Sequence, residues 1–302
     1  MLFGLRAQEA KVVAPSARPC GAGILQAVST ATDRLRLATL RWASRWCSRL
    51  PFLARSWFAL VGLNRRVTIA YISLDEPALI EIADAYYRRL GVQITAFLDD
   101  RTSAENVNRL QNRGIKVFMV PNSQDYAEGL YAGIAALIAT DWLLLMTNDE
   151  LLSLTCLLDV STSTRRRSAT TCIAMPRRWL MPTDDFVMVA EAPFMNLDYQ
   201  FRLVRPKEVH FHDQIHTPGF DVPSGRRLLG AESCIYHFDW VLRSPRLRKL
   251  KLAFYETKMP GAQELYTKWY LPEEHPEDFT FAELTDPAVA GVVLSYRSMA
   301  LR

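Results

Sequence analysis

The sequence predicts an α/β protein with a mainly parallel β-sheet flanked by helices. From Val67 onward, short runs of apolar and β-branched residues alternate with amphipathic stretches of helical period. Such alternation is typical of parallel strands joined by helices that cover both faces of the sheet. Acidic residues directly follow several of the predicted strands, and ligands of such sheets bind at the carboxyl ends of strands. The first 66 residues have a different, basic character.

The individual elements have local start and stop signals. Strands are predicted for the apolar runs 67–72, 92–98, 115–120 and 142–146. Pro77 suits the first turn of a helix, and Ser103 is a residue type that caps helix starts. Gly91 and Gly114 are expected to end helices, because glycine adopts the left-handed conformation found there. A further helix is predicted over 126–139.

The composition is that of an ordinary globular protein. Apolar residues make up 49% and charged residues 23% of the chain, which allows a sizeable core and excludes wholesale disorder. The net charge of +4 permits anionic ligands but does not indicate nucleic acid as a partner. Five scattered cysteines without a CxxC pair argue against a disulfide framework and a zinc finger, and favour a reducing compartment.

Targeting and membrane signals point to a cytoplasmic location. The first residues lack an apolar core of signal-peptide length. An uncharged apolar run of about 18 residues, which a membrane-spanning helix needs, is not found in the sequence.

Residues 1–66 are predicted to form a basic, helical, amphipathic extension. No acidic residue occurs between Arg34 and Leu74. An arginine face lies beside an apolar stripe at helical spacing: Arg34, Arg41, Arg45 and Arg49 beside Leu35, Trp42, Trp46 and Leu53. Such a helix either packs on the following domain with its arginines in solvent or makes a peripheral contact with the inner face of an anionic membrane.

Three acidic pairs follow predicted strands and are therefore expected at one edge of the sheet. They are Asp75-Glu76, Asp99-Asp100 and Asp149-Glu150. Clustered carboxylates repel one another unless a cation lies among them, and Mg²⁺ or Mn²⁺ would also bind a substrate diphosphate. Asp149 is the best ligand candidate, because it follows an apolar strand directly. Solvated loop carboxylates are the plain alternative.

Eight short segments resemble, in order and spacing, motifs of one enzyme family. They are Ile72-Ser73-Leu74-Asp75-Glu76, Tyr86–Gly91, Leu98–Ser103, Asp141–Glu150, Asp198–Leu203, Ile215-His216, Ile235–Phe238 and Arg248–Tyr255. From Val67 to about Met259 the chain resembles family 2 glycosyltransferases of the GT-A fold. It is most similar to the bacterial branch that includes lipopolysaccharide core and other cell-surface glycosyltransferases.

The resemblance implies a hexosyltransferase-like enzyme of cell-envelope polysaccharide biosynthesis. It would move a sugar from a nucleotide-diphospho-sugar donor to a glycan or lipid-linked acceptor, with inversion and with Mn²⁺ or Mg²⁺ as cofactor. The GT-A domain would cover 67–302, with a nucleotide-sugar half at 67–152, an acceptor half at 153–260 and a carboxyl-terminal tail at 261–302.

The resemblance also assigns roles to residues of this sequence. Donor binding falls to Glu76, Asp99, Asp100 and Arg101, with Asp99 accepting a hydrogen bond from the base and Arg101 reaching phosphate. Asp149 and His237 would hold the metal. Asp198 and Arg202 would shape the acceptor side.

Two positions depart from the family pattern. Thr147 replaces the first aspartate of the usual Asp-x-Asp-Glu motif, which affects metal or nucleotide binding. Thr217 replaces the glutamate of a His-Glu pair that is a plausible general base, so Asp213 or, as second choice, His216 is expected to take the acceptor proton. A catalytically weakened relative remains an alternative.

Two other functions compete with glycosyl transfer. A nucleotidyltransferase usually has a glycine-rich phosphate loop with a basic residue after the first strand, whereas residues 73–76 lack glycine and are acidic. A non-catalytic nucleotide-binding module that recruits a partner to the membrane is the other alternative. Arg177-Arg178-Trp179 is either a phosphate-binding, stacking segment or a plain surface loop.

Overall fold

The computed structural model describes most of the chain from Leu50 onward. The described residues are 38–39, 42–43, 46, 50–74, 76, 78–122, 124–165, 169–182, 187–192, 198–215, 217–284 and 286–300. The chain divides into Met1–Thr39 and Leu40–Arg302, and everything below concerns the second unit. The predicted catalytic residue His216 and four predicted basic positions lie outside the described residues: Arg34, Arg41, Arg45 and Arg49.

Strands and helices alternate through the first half of this unit and then give way to a strand-rich second half. The strands are β1 Val67–Ser73, β2 Ile94–Asp99, β3 Lys116–Val120, β4 Trp142–Thr147, β5 Glu150–Leu152, β6 Cys172–Pro182, β7 Val187–Glu191, β8 Tyr199–Val204, β9 Arg226–Leu228, β10 Ile235–His237 and β11 Thr280–Glu283. The helices are α1 Pro51–Leu60, α2 Leu63–Arg66, α3 Ala78–Arg89, α4 Ala104–Asn112, α5 Tyr131–Leu137, α6 Leu154–Ser163, α7 Asp239–Leu242, α8 Pro245–Lys258, α9 Ala262–Tyr270 and α10 Pro287–Ala300.

One sheet organises these elements. Its main path runs β11-β7-β6-β8-β4-β1-β2-β3. The strands β4, β1, β2 and β3 are parallel neighbours, and β8 joins β4 antiparallel. The predicted α/β fold class is confirmed: the sheet is parallel from β4 to β3, mixed beyond β4, and flanked by helices.

Three of the four strands predicted from apolar runs, β1, β2 and β4, are largely buried, whereas β3 at the sheet edge is partly exposed. Residues 142–146 of β4 are all closed to solvent, and β1 is buried except for Thr68. Helices on both faces explain this pattern, because they leave no solvated side along a central parallel strand. The helix signals also hold: Ser103 accepts a hydrogen bond from the amide of Asn106, and Gly91 and Gly114 have φ of 71° and 75°.

The second half of the sheet brings distant segments against β4 and β5. The strand β6 pairs with β8 on one side and with β7, β9 and β10 along its length. The short strand β10 also pairs with β5, and this register places His237 opposite Glu150. The helices α7 and α8 follow β10 in turn, and the amide of Phe238, just before α7, donates to the carbonyl of Asp149 over 3.0 Å.

The helix α1 is part of the packed core. Ala54 and Phe58 are buried, and the indole of Trp57 donates to the hydroxyl of Ser161 on α6 over 3.1 Å. The change in composition at Val67 therefore does not mark the start of the packed unit.

Other apolar residues of this region face solvent. The rings of Trp42 and Trp46 lie 5.9 Å apart with 64% and 46% of their surface exposed. Phe52, Leu53 and Leu60 are exposed as well. The expectation that this segment packs on the following domain therefore holds for one face of α1. It does not explain the exposed surface formed by Trp42, Trp46, Phe52, Leu53 and Leu60, which is called the aromatic surface below. No helix within the described ranges is long and apolar enough to cross a membrane.

Candidate functional site

A cavity of about 660 Å³ opens at the carboxyl ends of β1 and β4. Residues 72–74 after β1 and 147–149 after β4 form one wall. Side chains from β6, β8, β10, α8 and α9 also line the cavity. Its volume is within the range of small-molecule sites, and its position is the sheet edge where the sequence predicts ligand binding.

Asp149 lies in this wall and is surrounded by cationic groups. Its Oδ1 accepts a hydrogen bond from the hydroxyl of Thr147 over 2.7 Å. Its Oδ2 lies 3.1 Å from Arg243 Nη1, 3.5 Å from His237 Nε2 and 3.9 Å from Lys251 Nζ. Burial by itself would raise the pKa of Asp149, but the positive charges of Lys251 and Arg243 hold it well below its ordinary value. The carboxylate is therefore ionised, and neighbouring cations already balance its negative charge.

A second buried carboxylate, Asp239, holds the same two cations. Its Oδ1 accepts hydrogen bonds from Arg243 Nη1 and, over 2.8 Å, from Lys251 Nζ. Its Oδ2 is buried and has no hydrogen-bond partner. Asp239 begins the short helix α7, and Arg243 directly follows its last residue. Burial disfavours the charged form of Asp239, yet Lys251 and Arg243 lower its pKa.

Glu76, a predicted donor residue, lies at the edge of this cluster. Its Oε2 accepts a hydrogen bond from Arg243 Nη2 over 2.7 Å, and its side chain is 45% exposed. The structure thus joins Glu76 and Asp149 through one guanidinium group.

His237 is where the sequence predicts it, beside Asp149, and it is neutral. Burial is the main reason that the pKa of His237 falls to about 4, and the carboxylate of Asp149 opposes that shift only partly. Its ring packs 4.1 Å from the ring of Trp179, centroid to centroid. Its Nδ1 is buried without a hydrogen-bond partner.

The predicted acceptor residues both line the cavity, each held by an ion pair. Arg202 Nη2 donates to Glu150 Oε1 over 2.8 Å. Asp198 accepts from Arg177 Nε over 2.7 Å, and the Arg177 guanidinium lies 5.2 Å from the ring centre of Trp179. Arg177 and Trp179 belong to β6 and face the cavity, so the segment Arg177-Arg178-Trp179 is not a plain surface loop.

Two further predicted donor residues, Asp99 and Arg101, form with Asn122 a hydrogen-bonded cluster beside the cavity, which is called the clamp below. Asp99 is buried and accepts from Arg101 Nε at 2.7 Å, Arg101 Nη2 at 2.6 Å and Asn122 at 2.9 Å. Those contacts, above all the bonds from Arg101, lower the pKa of Asp99 to about 2. Arg101 also binds Asp125, which does line the cavity, while Asp100 is exposed at the turn. The direct donor contacts expected of Asp99, Asp100 and Arg101 stay predictions.

Asp213, the predicted base, lies at the rim. Its side chain is exposed, and its Oδ2 accepts a hydrogen bond from Gln124 Nε2 over 2.9 Å. Its neighbours Ile215 and Thr217 line the cavity. The role of Asp213 as base stays a prediction, and that of His216 lies outside the described residues.

Sequence reasoning missed two groups of cavity residues. It gave no role to Asp239, Arg243 and Lys251, although the last belongs to a segment that resembles the family. It also missed an aromatic wall formed by Phe254, Tyr255, Tyr266, Trp269 and Tyr270. The spacing of four between Asp239 and Arg243 was a usable signal for an ion pair, but nothing local tied that pair to Asp149.

The residues around Asp149 do not fit the divalent ion that the resemblance implies. An ion bound to its Oδ2 would lie about 2.0–2.6 Å from that oxygen, which already contacts Arg243 and Lys251. The position of a second carboxylate ligand is occupied by the hydroxyl of Thr147. Among the described residues, the one group of three ligand side chains close enough to share an ion is His275, Glu277 and Asp278, outside the cavity.

Comparison with known proteins gives structural matches without sequence matches. No protein-family model matches the chain. No curated protein matches it either. One similar structure is the mannosyltransferase PcManGT from Pyrobaculum calidifontis in complex with GDP-Man and Mn²⁺, at 12% identity, 87% of this chain, 92% of that chain and a TM-score of 0.38.

Two further structures match smaller parts. S. aureus TarS 1-349 in complex with UDP-GlcNAc matches at 9% identity over 64% of this chain and 67% of that chain, with a TM-score of 0.39. A CMP:2-keto-3-deoxy-manno-octonic acid synthetase complexed with CTP matches at 14% identity over 39% of this chain, with a TM-score of 0.30. The match spans 54% of that synthetase and 40% of the longer TarS chain.

Proposed function

We propose that this protein is a glycosyltransferase that uses a nucleotide-diphospho-sugar donor and a glycan or lipid-linked acceptor. The observation that carries the proposal is the cavity at the ends of β1 and β4, where Arg243 and Lys251 lie next to Asp149. A diphosphate leaving group needs positive charge beside it as its bond to the sugar breaks. The two cations supply that charge at the sheet edge where α/β proteins bind ligands.

Other residues that line the cavity suit a sugar acceptor. Tyr266 and Trp269 offer flat apolar faces with polar edges, which pack well on sugar rings. Asp198, fixed by Arg177 and by Gln200 over 2.7 Å, offers an acceptor for a sugar hydroxyl. We infer that these residues hold the acceptor while the donor diphosphate lies against Arg243 and Lys251.

The reaction follows from this placement. The acceptor oxygen attacks the anomeric carbon, the bond from that carbon to the diphosphate breaks, and the acceptor proton passes to a base on the far side. Asp213 is the proposed base. It becomes available when its carboxylate leaves Gln124 and turns inward.

Donor recognition is proposed for the clamp at the ends of β2 and β3. Asp99, Arg101 and Asn122 fix the loop that carries Asp125 and Tyr126 into the cavity wall. Through this loop Asp99 and Arg101 would shape the nucleoside side of the site, and Asp100 would contact the donor from the adjoining turn. Because the residues do not fit a divalent ion, no step of the reaction is assigned to Mn²⁺ or Mg²⁺.

A peripheral membrane contact is proposed for the exposed aromatic surface of Trp42, Trp46, Phe52, Leu53 and Leu60. Exposed tryptophans beside a basic, acid-free segment combine apolar insertion with attraction to anionic lipid. Such a contact would bring the enzyme to a lipid-linked acceptor.

The proposed function is tested with a panel of UDP-, GDP-, CMP- and dTDP-sugars. We expect at least one to raise the melting temperature, since a ligand that binds only the folded state stabilises it, and the same one to be hydrolysed slowly. If none binds, but a nucleoside triphosphate and a sugar phosphate release pyrophosphate, the protein is a nucleotidyltransferase. Binding without turnover towards any acceptor glycan would favour the non-catalytic alternative.

A further inference from the structure

We propose that Arg243 and Lys251 take the place of a divalent metal ion, so that this protein binds the donor diphosphate without one. The inference rests on the proposed function, because it concerns the same cavity. It goes against the cofactor that the sequence resemblance implies, and it is carried by the contacts of Asp149.

A carboxylate that binds a metal ion must offer an oxygen whose negative charge is not already balanced by neighbouring cations. The Oδ2 of Asp149 does not, because Arg243 Nη1 lies 3.1 Å from it and Lys251 Nζ lies 3.9 Å from it. The Oδ1 is engaged by Thr147, which stands where a second metal-binding carboxylate is expected. A dication at Oδ2 would be repelled by both cations at contact distances where charge interactions are strong.

The two cations are built into the site. Arg243 and Lys251 have side chains only 16% and 21% exposed, and both line the cavity. Asp239, which is completely buried, binds both of them from behind. Asp149 and Asp239 therefore fix the two positive charges in place, and each cation keeps a side towards the cavity.

One further contact shows how a phosphate group would enter. Arg243 Nη2 donates to Glu76, whose side chain is 45% exposed. An incoming phosphate oxygen displaces this partly exposed carboxylate more readily than the buried Asp149 or Asp239. After the exchange, Arg243 would bind phosphate with Nη2 while Nη1 stays on the two aspartates.

The pair also supplies the charge that the reaction needs. When the bond between the sugar and the diphosphate breaks, negative charge grows on the leaving oxygen. Two fixed cations stabilise that charge as a metal ion would.

The decisive experiment measures binding of UDP, GDP and CDP to the whole protein by calorimetry, in EDTA and in Mn²⁺ or Mg²⁺. We expect one nucleotide to bind in EDTA with a Kd within about threefold of that with metal. Binding that EDTA abolishes and Mn²⁺ restores would overturn this inference and leave the proposed function intact. If no nucleotide binds under any condition, both are overturned.

Variants then test the residues themselves. Arg243→Gln and Lys251→Gln should each raise the Kd in EDTA by about tenfold or more, because a charge-assisted hydrogen bond is lost. The matched control is Lys249→Gln on the same helix, whose ammonium group pairs with Glu274 at the surface and which should bind normally. Equal affinity in all three variants would contradict the assignment, and the EDTA comparison on the parent protein stands even if one variant fails to fold.

Discussion

Arg202 and Glu150 form a buried ion pair, 2.8 Å from Nη2 to Oε1, with 12% and 0% of their side chains exposed. The pair connects Arg202 of β8, which lines the cavity, to Glu150 of β5. Glu150 Oε2 accepts the amide of Thr147 over 3.2 Å, and Arg202 Nη1 donates to the hydroxyl of Tyr131 over 3.2 Å. The glutamate of the acidic motif is thus a structural anchor for the segment that carries Asp149.

The first prediction follows from this burial. Arg202→Met should lower the free energy of unfolding by about 3–5 kcal/mol, because it leaves the Glu150 charge buried without a partner. Urea unfolding measures the loss. The double variant with Glu150→Gln should recover much of it, and Lys268→Gln, which breaks the surface pair with Asp278, should cost no more than about 1 kcal/mol. A small effect of Arg202→Met would mean that water or another cation reaches Glu150.

The second prediction concerns acid stability. Burial lowers the pKa of His237 from 6.5 to about 4, so between these values the unfolded chain binds a proton that the folded chain excludes. Stability is therefore fully present above pH 6.5 and falls as the pH drops towards 4, by up to about 3 kcal/mol from this group. His237→Phe should flatten this part of the profile in urea unfolding between pH 7 and 4. An imidazole that titrates near 6.5 by NMR would contradict the prediction.

The third prediction tests the base. Asp213→Asn should lower turnover by about 10²–10⁴-fold with little change in donor binding, since Asp213 lies at the rim away from Arg243 and Lys251. Gln124→Ala is the matched control, because it removes the hydrogen bond that holds Asp213 outward and should leave turnover near the parent value. If Asp213→Asn works at the parent rate while His216→Ala is inactive, the histidine is the base.

The fourth prediction concerns membrane contact. The parent protein should float with anionic liposomes at low salt and lose binding as salt screens the charges. Replacing Trp42 and Trp46 by alanine should weaken flotation, because apolar insertion is the second signal that stable attachment needs. The control is Leu265→Ala, another exposed apolar residue outside the aromatic surface. If the parent protein does not float with the liposomes, the membrane proposal is wrong and the segment serves only to pack on the rest of the protein.

The fifth prediction contrasts two glycines of left-handed conformation. A side-chain carbon at Gly219 would lie 2.3 Å from the ring of Tyr131, whereas one at Gly62 would meet nothing within 4 Å. Gly62→Ala should cost about 1–2 kcal/mol of unfolding free energy from backbone strain alone. Gly219→Ala should cost about 1–3 kcal/mol more from overpacking. Equal melting temperatures of the two variants would show that the loop at Gly219 shifts freely.

The sequence correctly predicted the features that depend on residues close together in the chain. The strands β1, β2 and β4 were predicted because burial makes them nearly continuous apolar runs. Ser103, Gly91 and Gly114 act within their own helix ends. The predicted acidic edge was only partly informative. Asp149 does line the cavity, whereas Asp99 turns to Arg101 and Asn122.

The rest of the site depends on pairing between distant segments. His237 reaches Asp149 because β10 pairs with β5 and β6, and no periodicity in a three-residue strand reveals such a pairing. The positions of Arg243 and Lys251 depend on the same pairing, since α7 and α8 are the next two elements after β10. The acidic motif alone could not reveal that the negative charge of Asp149 is balanced, because the balancing cations Arg243 and Lys251 lie about a hundred residues further along the chain.

The packing of α1 decides how far the chain can be shortened. Compositional change at Val67 invites a fragment that begins there, yet such a fragment would uncover the surfaces on which Ala54 and Phe58 pack. It would also leave Gly91 without Arg55 and Ser161 without the indole of Trp57. A recombinant fragment that starts near Leu50 should be recovered folded, whereas one that starts at Val67 should aggregate.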